Sequence, residues 1–240
     1  MGLHEALSED IIIINRVMHV EVERKFVCDS HILEKLKDIG AVCLGQYEFK
    51  DQYLDTADFT LTLKDFWLRK REGSWELKRP TSSNPNTKTR AQDVCTNYRE
   101  ITDVLHIRAE LMSIMGIYAE PTTDSCDKDV HAEFEKWLQD MNLECFAEYT
   151  TVRCSYALEC EVEDQRVRVD LDQADFGYCV GEIEVLVSEG VETASTMQSI
   201  EKTAQKLGLG GEQKAQGKME VYLQRFRPDH YAALLKAHVL

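Results

Sequence analysis

Polar and apolar residues alternate along many short segments of the chain, which is typical of β-strands with one buried face. The first such segment spans 17–27, where Val20, Val22 and Phe26 share one face and charged residues share the other. Similar runs bring the expected total to eight or nine strands, near 42–54, 65–72, 74–79, 94–101, 146–155, 156–163, 166–172 and 180–187. The sequence Glu-Gly-Ser at 72–74 indicates a tight hairpin turn.

Segments with helical periodicity lie between groups of these strands. Segment 30–40 carries an apolar stripe, with Ser30 as the expected cap and Gly40 as the expected stop. Further helices are predicted near 102–115, 129–141, 193–207 and 217–226, with a short one after Pro228. A loop over 80–91 and a linker over 116–128 complete the pattern. Many short strands with helices interspersed predict an α+β protein built on a largely antiparallel sheet or barrel.

Composition and charge exclude several classes of protein. Of 240 residues, 28 are basic and 43 acidic, and the net charge of −15 argues against a non-specific nucleic-acid binder or a polybasic membrane-surface protein. No run of about 20 apolar residues predicts a membrane span. The eight cysteines include no C-x-x-C pair, so zinc spacings are absent. Together with the lack of a recognisable signal peptide, this favours a cytoplasmic protein with reduced thiols.

The polar faces of the strands carry charges ordered by sign. Three strands each supply two carboxylates at positions i and i+2, which project from one face about 6.5–7 Å apart. These pairs are Glu21/Glu23, Asp170/Asp172 and Glu182/Glu184. Carboxylates gathered this closely repel one another unless a cation lies between them, and Mg²⁺ or Mn²⁺ is the natural hard cation for oxygen ligands.

Other strands supply positive charge to the same interior. The candidates are Lys25, Arg69, Arg71, Lys78 and Arg153. An acidic and a basic wall inside one closed sheet would suit a triphosphate bound together with a divalent metal. A solvated face of an ordinary antiparallel sheet shows similar alternation, so the pattern alone leaves both interpretations open.

Several motifs follow one another in a fixed order. Segment 20–26 reads VEVERKF and contains E-x-E-x-K, formed by Glu21, Glu23 and Lys25. The later motifs are DQYLDT at 51–56, FWLRKRE at 66–72, WELK at 75–78, NYRE at 97–100, VRVDLDQADFGY at 167–178, GEIEVLV at 181–187 and YLQRFRP at 222–228. This series resembles the CYTH superfamily, the triphosphate tunnel metalloenzymes, and within it the vertebrate thiamine triphosphatases, over about residues 18–232.

The resemblance implies a fold and an activity. We expect an eight-stranded antiparallel β-barrel with helices outside, as a tunnel domain over 17–232 between an N-terminal extension at 1–16 and a C-terminal tail at 233–240. The implied reaction is Mg²⁺-dependent hydrolysis of thiamine triphosphate to thiamine diphosphate and phosphate. Neither nucleic acid nor membrane is an expected partner, and a closed sheet without free edges favours a monomer. Alternatives are hydrolysis of inorganic tripolyphosphate, an adenylate cyclase, or a catalytically silent triphosphate-binding module.

The resemblance also implies roles for individual residues. The metal ligands would be Glu21, Glu23, Asp170, Glu182 and Glu184, with Asp172 as a further candidate on the same face. The phosphate-binding residues would be Lys25, Arg69, Arg71, Arg153 and Lys218. Lys78 and Tyr53 would form an acid–base or phosphate-polarising dyad, and Trp67 would pack against the thiazolium ring of thiamine. Arg168 shares the face of Asp170, where a salt bridge and a phosphate contact are equally open.

Overall fold

The computed structural model describes residues 19–81, 95–117, 130–159, 166–188, 193–209 and 215–240. The strands are β1 (His19–Phe26), β2 (Val42–Asp55), β3 (Trp67–Arg71), β4 (Ser74–Pro80), β5 (Thr96–Ile101), β6 (Glu144–Glu159), β7 (Arg166–Ala174) and β8 (Tyr178–Ser188). The helices within these ranges are α1 (Ile32–Asp38), α2 (Val104–Met115), α3 (Val130–Asp140), α4 (Thr193–Lys206), α5 (Lys218–Phe226) and α6 (Pro228–Lys236). A short 3₁₀ turn, Thr62–Lys64, precedes β3.

The eight strands form one closed antiparallel barrel in the order β1-β5-β4-β3-β2-β6-β7-β8. The barrel closes where β1 pairs with β8 along its whole length, from His19 opposite Ser188 to Phe26 opposite Gly181. Because side chains alternate between the two faces of a strand, each strand sends every second residue into the interior. This confirms the predicted α+β barrel with helices outside.

The apolar faces of the strands point outward and are covered by helices. On one side β1, β7 and β8 pack beneath α1 and α4, where Val22, Val169 and Ile183 are completely buried. On another side β3, β4 and β5 pack beneath α2 and α3, where Trp75 meets Phe134 edge-on with ring centroids 5.4 Å apart. Since the helices bury the apolar outer faces, the charged faces are left to line the interior of the barrel.

A buried polar contact attaches α6 to the segment between β2 and β3. The hydroxyl of Thr62 donates to Asp55 at 2.7 Å, and its oxygen lies 2.7 Å from Nε2 of His230 in α6. The His230 ring also stacks on Phe59, with centroids 3.8 Å apart. This anchor holds the chain end against the barrel, where residues 239–240 line the interior cavity.

Two expectations about local structure were wrong. The segments 146–155 and 156–163 were expected to be separate strands, but β6 runs unbroken because its pairing with β7 continues to Glu159 opposite Arg166. Helix α1 is not capped by Ser30, since the cap position is occupied by His31 without a side-chain hydrogen bond.

Other expectations concern segments that lie wholly or mostly outside the described residues. These include the N-terminal extension at 1–16, most of the loop at 80–91 and most of the linker at 116–128. The boundary placed at 232 falls inside α6. Within the described ranges no helix has both the length and the apolar character needed to cross a membrane, and the six described cysteines are free thiols.

The packing of Phe26 on Gly181 generates a stability prediction. A Cβ atom at Gly181 would lie 2.1 Å from the nearest carbon of the Phe26 ring, far inside van der Waals contact. We expect Gly181→Ala to lower the free energy of unfolding by about 1–3 kcal/mol, as measured by urea denaturation. The double variant Gly181→Ala/Phe26→Leu should lose less stability than the sum of the losses of the two single variants. Strictly additive losses would contradict this contact.

Candidate active site

The interior of the barrel contains one cavity of about 370 Å³ that gathers nearly all of the predicted site residues. Twelve of the fourteen line it directly. The other two, Asp170 and Asp172, lie behind Arg153, which lines the cavity and contacts both. The fold therefore brings together the side chains that the alternation and the family resemblance together had singled out.

The acidic wall consists of three neighbouring strands, β7, β8 and β1. Their registers place Asp170 opposite Glu182, and Glu184 opposite Glu23. Side chains directly opposite each other in a sheet lie about 5 Å apart, and like charges in that arrangement repel. The wall is therefore stable only where cations reach into it.

Two lysines neutralise the β1 end of this wall. The Lys78 ammonium contacts Glu21, and the Lys25 ammonium contacts Glu23. Burial alone would raise the pKa of Glu21, but the charge and hydrogen bond of Lys78, together with the charge of Arg69, outweigh it and lower that pKa to about 2. Burial likewise opposes ionisation of Lys78, yet Glu21 raises the Lys78 pKa above its ordinary value. Both residues are therefore charged at neutral pH, and Lys25 and Glu23 follow the same pattern.

The basic wall is formed by β3 with its neighbours. Arg69 is buried and pairs with Glu76 and with Glu100, the latter at 3.1 Å. Arg71 forms a bidentate pair with Asp51, at 2.7 and 2.9 Å, and its guanidinium lies 4.0 Å from the centroid of the Phe49 ring. Each cation of this wall already has a carboxylate partner.

Arg153 joins the two walls from β6. Its guanidinium donates to Asp170 and Asp172 at 2.6 Å and to Glu182 at 2.9 Å. Asp172 also contacts Lys218, at the start of α5, so both of its oxygens have cationic partners. Asp170 is occupied to the same extent, since its oxygens accept from Arg153, Arg168 and Ser155, so these two aspartates have the least remaining capacity for another cation.

Lys218 occupies an unusual position for an ammonium group. Burial, together with the nearby guanidiniums of Arg153 and Arg71, holds the Lys218 pKa well below its ordinary value despite the contact with Asp172. An incoming anion would reverse this effect, because it would favour the charged form of the lysine.

Glu184 is the one predicted metal ligand that has an unpartnered buried oxygen among the described residues. Its Oε1 pairs with Arg168 at 2.5 Å, while its Oε2 has no hydrogen-bond partner. Burial and the charge of Glu21 raise the Glu184 pKa to about 8, because Arg168 offsets only part of that cost. An orphaned carboxylate oxygen among other carboxylates is chemically suited to a hard cation. The contacts that Arg168 makes with the acidic wall favour a salt-bridge role for Arg168.

The donors of the acidic wall fit Mg²⁺ by type, although their present partners are protein cations. All of the donors are carboxylate oxygens, which hard divalent ions prefer. Within the ranges that the structure describes, no three acidic, histidine or cysteine side chains converge to hold one ion. The reason is visible in the contacts, since Lys25, Lys78 and Arg153 lie against the carboxylates.

Aromatic side chains occupy part of the same cavity. Trp67 lies on β3 with its indole nitrogen donating to Asp65 at 2.8 Å. Tyr53 is buried on β2 opposite Arg69, and its ring stacks near Tyr149 with centroids 5.9 Å apart. Tyr53 and Lys78 both line the cavity but lie on strands separated by β3.

Several cavity residues were not predicted as site residues. Glu76 and Glu100 line the cavity and hold the basic wall, together with Asp51, which is fully buried outside the lining, and Asp65 and Tyr98 hold the aromatic part. Asp51 shares a strand face with Tyr53, and Glu76 shares one with Lys78, so extending the alternation along these strands would have found both. Glu100 lies on β5, which carries no predicted site residue. Asp65 lies just before β3 but continues the alternation of Trp67 and Arg69, so the same period would also have pointed to it.

Comparison with known proteins identifies relatives. Residues 19–217 match the family model of the CYTH domain. The thiamine-triphosphatase of Homo sapiens is 35% identical over 226 residues, which cover 91% of this chain and 90% of that protein. The thiamine-triphosphatase of Macaca fascicularis is 34% identical over 223 residues, with the same coverage of both chains.

Solved structures share the barrel at lower identity. A putative adenylyl cyclase from Hippeastrum, described as having a dominant triphosphatase activity, superposes with a TM-score of 0.53 at 16% identity, covering 87% of this chain and 96% of its own. A conserved hypothetical protein from Pyrococcus furiosus gives a TM-score of 0.52 at 17% identity, covering 83% and 98%. At these identities the similarity supports the fold alone.

The raised pKa of Glu184 generates a prediction about pH. Between the ordinary value of 4.5 and about 8, the folded protein binds a proton at Glu184 that the unfolded chain has released. In the presence of EDTA, the free energy of unfolding should therefore fall as the pH rises through this range. Glu184→Gln, which mimics the protonated carboxyl, should lose less stability between pH 6 and pH 8.5 in urea titrations. Equal losses in both proteins would contradict the raised pKa.

Proposed function

The chain belongs to the CYTH family, and from this premise we propose that it hydrolyses thiamine triphosphate to thiamine diphosphate and phosphate, with Mg²⁺, inside the charged barrel. The observation that carries this proposal is the presence of an acidic wall and a basic wall in one cavity. The identity of 34–35% with thiamine-triphosphatases supports the choice of substrate.

The ion pairs between protein groups indicate how a triphosphate would enter. Each basic side chain of the cavity now holds a carboxylate, as Lys25 holds Glu23 and Lys78 holds Glu21. Phosphate oxygens are stronger multivalent partners for these cations. A bound triphosphate would take over the cations, and the carboxylates that they release would need a new positive partner.

The released carboxylates are the groups that would hold Mg²⁺. We assign this role to Glu21, Glu23, Asp170, Glu182 and Glu184, and we assign Asp172 to orienting Arg153 and Lys218. When bound, Mg²⁺ offsets negative charge on the phosphate oxygens.

The basic wall acts on the transferring phosphoryl group. Hydrolysis moves this group to water through a transition state in which negative charge is spread over its equatorial oxygens. Once the triphosphate is bound, Lys25, Arg69 and Arg71 would face its oxygens and stabilise the charge that develops in the transition state. Arg153 and Lys218 extend the phosphate-binding surface toward α5.

Lys78 and Tyr53, which lie on strands separated by β3, have separate roles in this proposal. Because Glu21 raises the Lys78 pKa, Lys78 is protonated at neutral pH and serves as a phosphate-binding cation or proton donor rather than as a base. We assign Tyr53, which lies opposite Arg69 on the adjacent strand, to supporting the orientation of this arginine.

A panel of substrates tests the proposed function. We expect phosphate release from thiamine triphosphate in the presence of Mg²⁺ to exceed release from ATP or tripolyphosphate, and to stop in EDTA. Preference for tripolyphosphate would keep the phosphate site and reject the thiamine assignment. Binding of the triphosphates without any turnover would favour the catalytically silent module.

A matched pair of substitutions on β3 tests the basic wall. Arg69→Met removes a cation that points into the cavity, and we expect it to lower kcat/KM by about 10²–10³-fold. Lys70→Met changes the next residue, which points outward and pairs with Glu135 at 2.5 Å, and it should leave kcat/KM within about twofold. Similar losses in both variants would contradict the assignment of the two faces.

The expected monomeric state and cytoplasmic location stay predictions. The monomer can be measured by analytical ultracentrifugation of the purified protein, and the location by fractionation of cells that express it.

A further inference from the structure

Asp65 connects two aromatic residues of the cavity that come from different strands. Its Oδ1 accepts one hydrogen bond from Trp67 Nε1 at 2.8 Å and another from the Tyr98 hydroxyl at 2.9 Å. Trp67 lies on β3 and Tyr98 on β5, with β4 between these strands. All three side chains line the cavity. A single carboxylate oxygen therefore fixes the relative placement of two rings across an intervening strand.

The backbone of Asp65 is held in a conformation that few residues adopt. It follows the 3₁₀ turn with φ 63°, in the left-handed region, and its N–H donates to the carbonyl oxygen of Thr62 at 2.9 Å. Aspartate tolerates this region better than most residues, but glycine is the residue with the lowest backbone cost. The side chain of Asp65 must therefore contribute something that glycine would not.

The two donors are both committed to this acceptor. Burial and the charge of Asp65 hold the Tyr98 pKa well above its ordinary value, so the phenol keeps its proton and remains a donor. The indole N–H of Trp67 is a donor at every pH. Each bond fixes a rotamer, and the two ring planes cannot turn independently while both bonds to Asp65 persist.

We propose that Asp65 is a positioning residue that holds the rings of Trp67 and Tyr98 as the walls of an aromatic subsite for the organic ring of the substrate. This inference rests on the proposed function and deepens it. Fixed aromatic faces attract a flat organic cation such as a thiazolium, and a ring that needs no ordering on binding loses less entropy. The basic wall binds the phosphate chain and does not depend on this subsite.

A pair of substitutions separates positioning from folding. Asp65→Gly removes the acceptor of two hydrogen bonds, but glycine adopts the left-handed φ at no cost and so offsets part of that loss, and the variant should still unfold cooperatively in a thermal melt. Asp65→Asn keeps an Oδ1 acceptor for both donors and tolerates the same φ. Tyr98→Phe removes only one of the two hydrogen bonds and should give an intermediate effect.

The measurement compares the KM for thiamine triphosphate with the inhibition constant of inorganic tripolyphosphate, which has a phosphate chain but no organic ring. In Asp65→Gly we expect the KM for thiamine triphosphate to rise about tenfold, while the inhibition constant of inorganic tripolyphosphate stays within about twofold of that of the unmodified protein. Asp65→Asn should restore the KM to within about threefold of the unmodified protein. A merely structural role would move both constants together.

Three results would overturn the inference: an unchanged KM in Asp65→Gly, an equal rise in the inhibition constant of tripolyphosphate, or a loss in Asp65→Asn as large as in Asp65→Gly. Failure of the proposed function can be distinguished from these three results, because the unmodified protein itself would then not hydrolyse thiamine triphosphate. In that case the same comparison is made with the dissociation constants of the two ligands, measured by calorimetry.

Discussion

The structure depends on the pairing of opposite charges inside a closed barrel. Helices cover the apolar outer faces of the strands, so the charged faces turn inward, where water is scarce. Charges removed from water are costly unless they are paired and hydrogen-bonded. The interior meets this constraint by setting an acidic wall against basic side chains, and Arg153, with three carboxylate partners, joins the two.

The same constraint explains why the interior is suited to a triphosphate. A barrel whose charges merely neutralised each other would have no reason to leave a buried carboxylate oxygen without a partner, as at Glu184. Nor would it place Lys218 where burial and two guanidiniums disfavour its charge. An anion bound at the basic side chains and a cation bound at the acidic wall would relieve both costs. The cavity is thus organised for two ligands of opposite sign.

Much of the fold and site follows from the period-two pattern of the sequence, because that pattern fixes which residues share a face. It predicted an antiparallel sheet or barrel and placed Glu21, Arg69 and Glu182 on its charged faces, and the family resemblance turned those faces toward the interior. It could not predict partners such as Arg71 with Asp51, which depend on register and strand order. Asp65 continues the alternation of Trp67 and Arg69, but its hydrogen bonds to Trp67 and Tyr98 depend on a turn and a strand order that the period does not give. The expected break within β6 failed because no turn residue interrupts its alternation.

The central claim is that the cavity exchanges its internal ion pairs for a triphosphate, bound by the basic side chains, and a divalent cation, bound by the acidic wall. The most direct test is calorimetric binding of a β,γ-methylene analogue of thiamine triphosphate, which cannot be hydrolysed between its last two phosphorus atoms. With Mg²⁺ present we predict tight binding, and with EDTA a loss of at least about tenfold in affinity, since the released carboxylates would then repel the phosphate chain. Equal affinity in the two conditions would contradict the account.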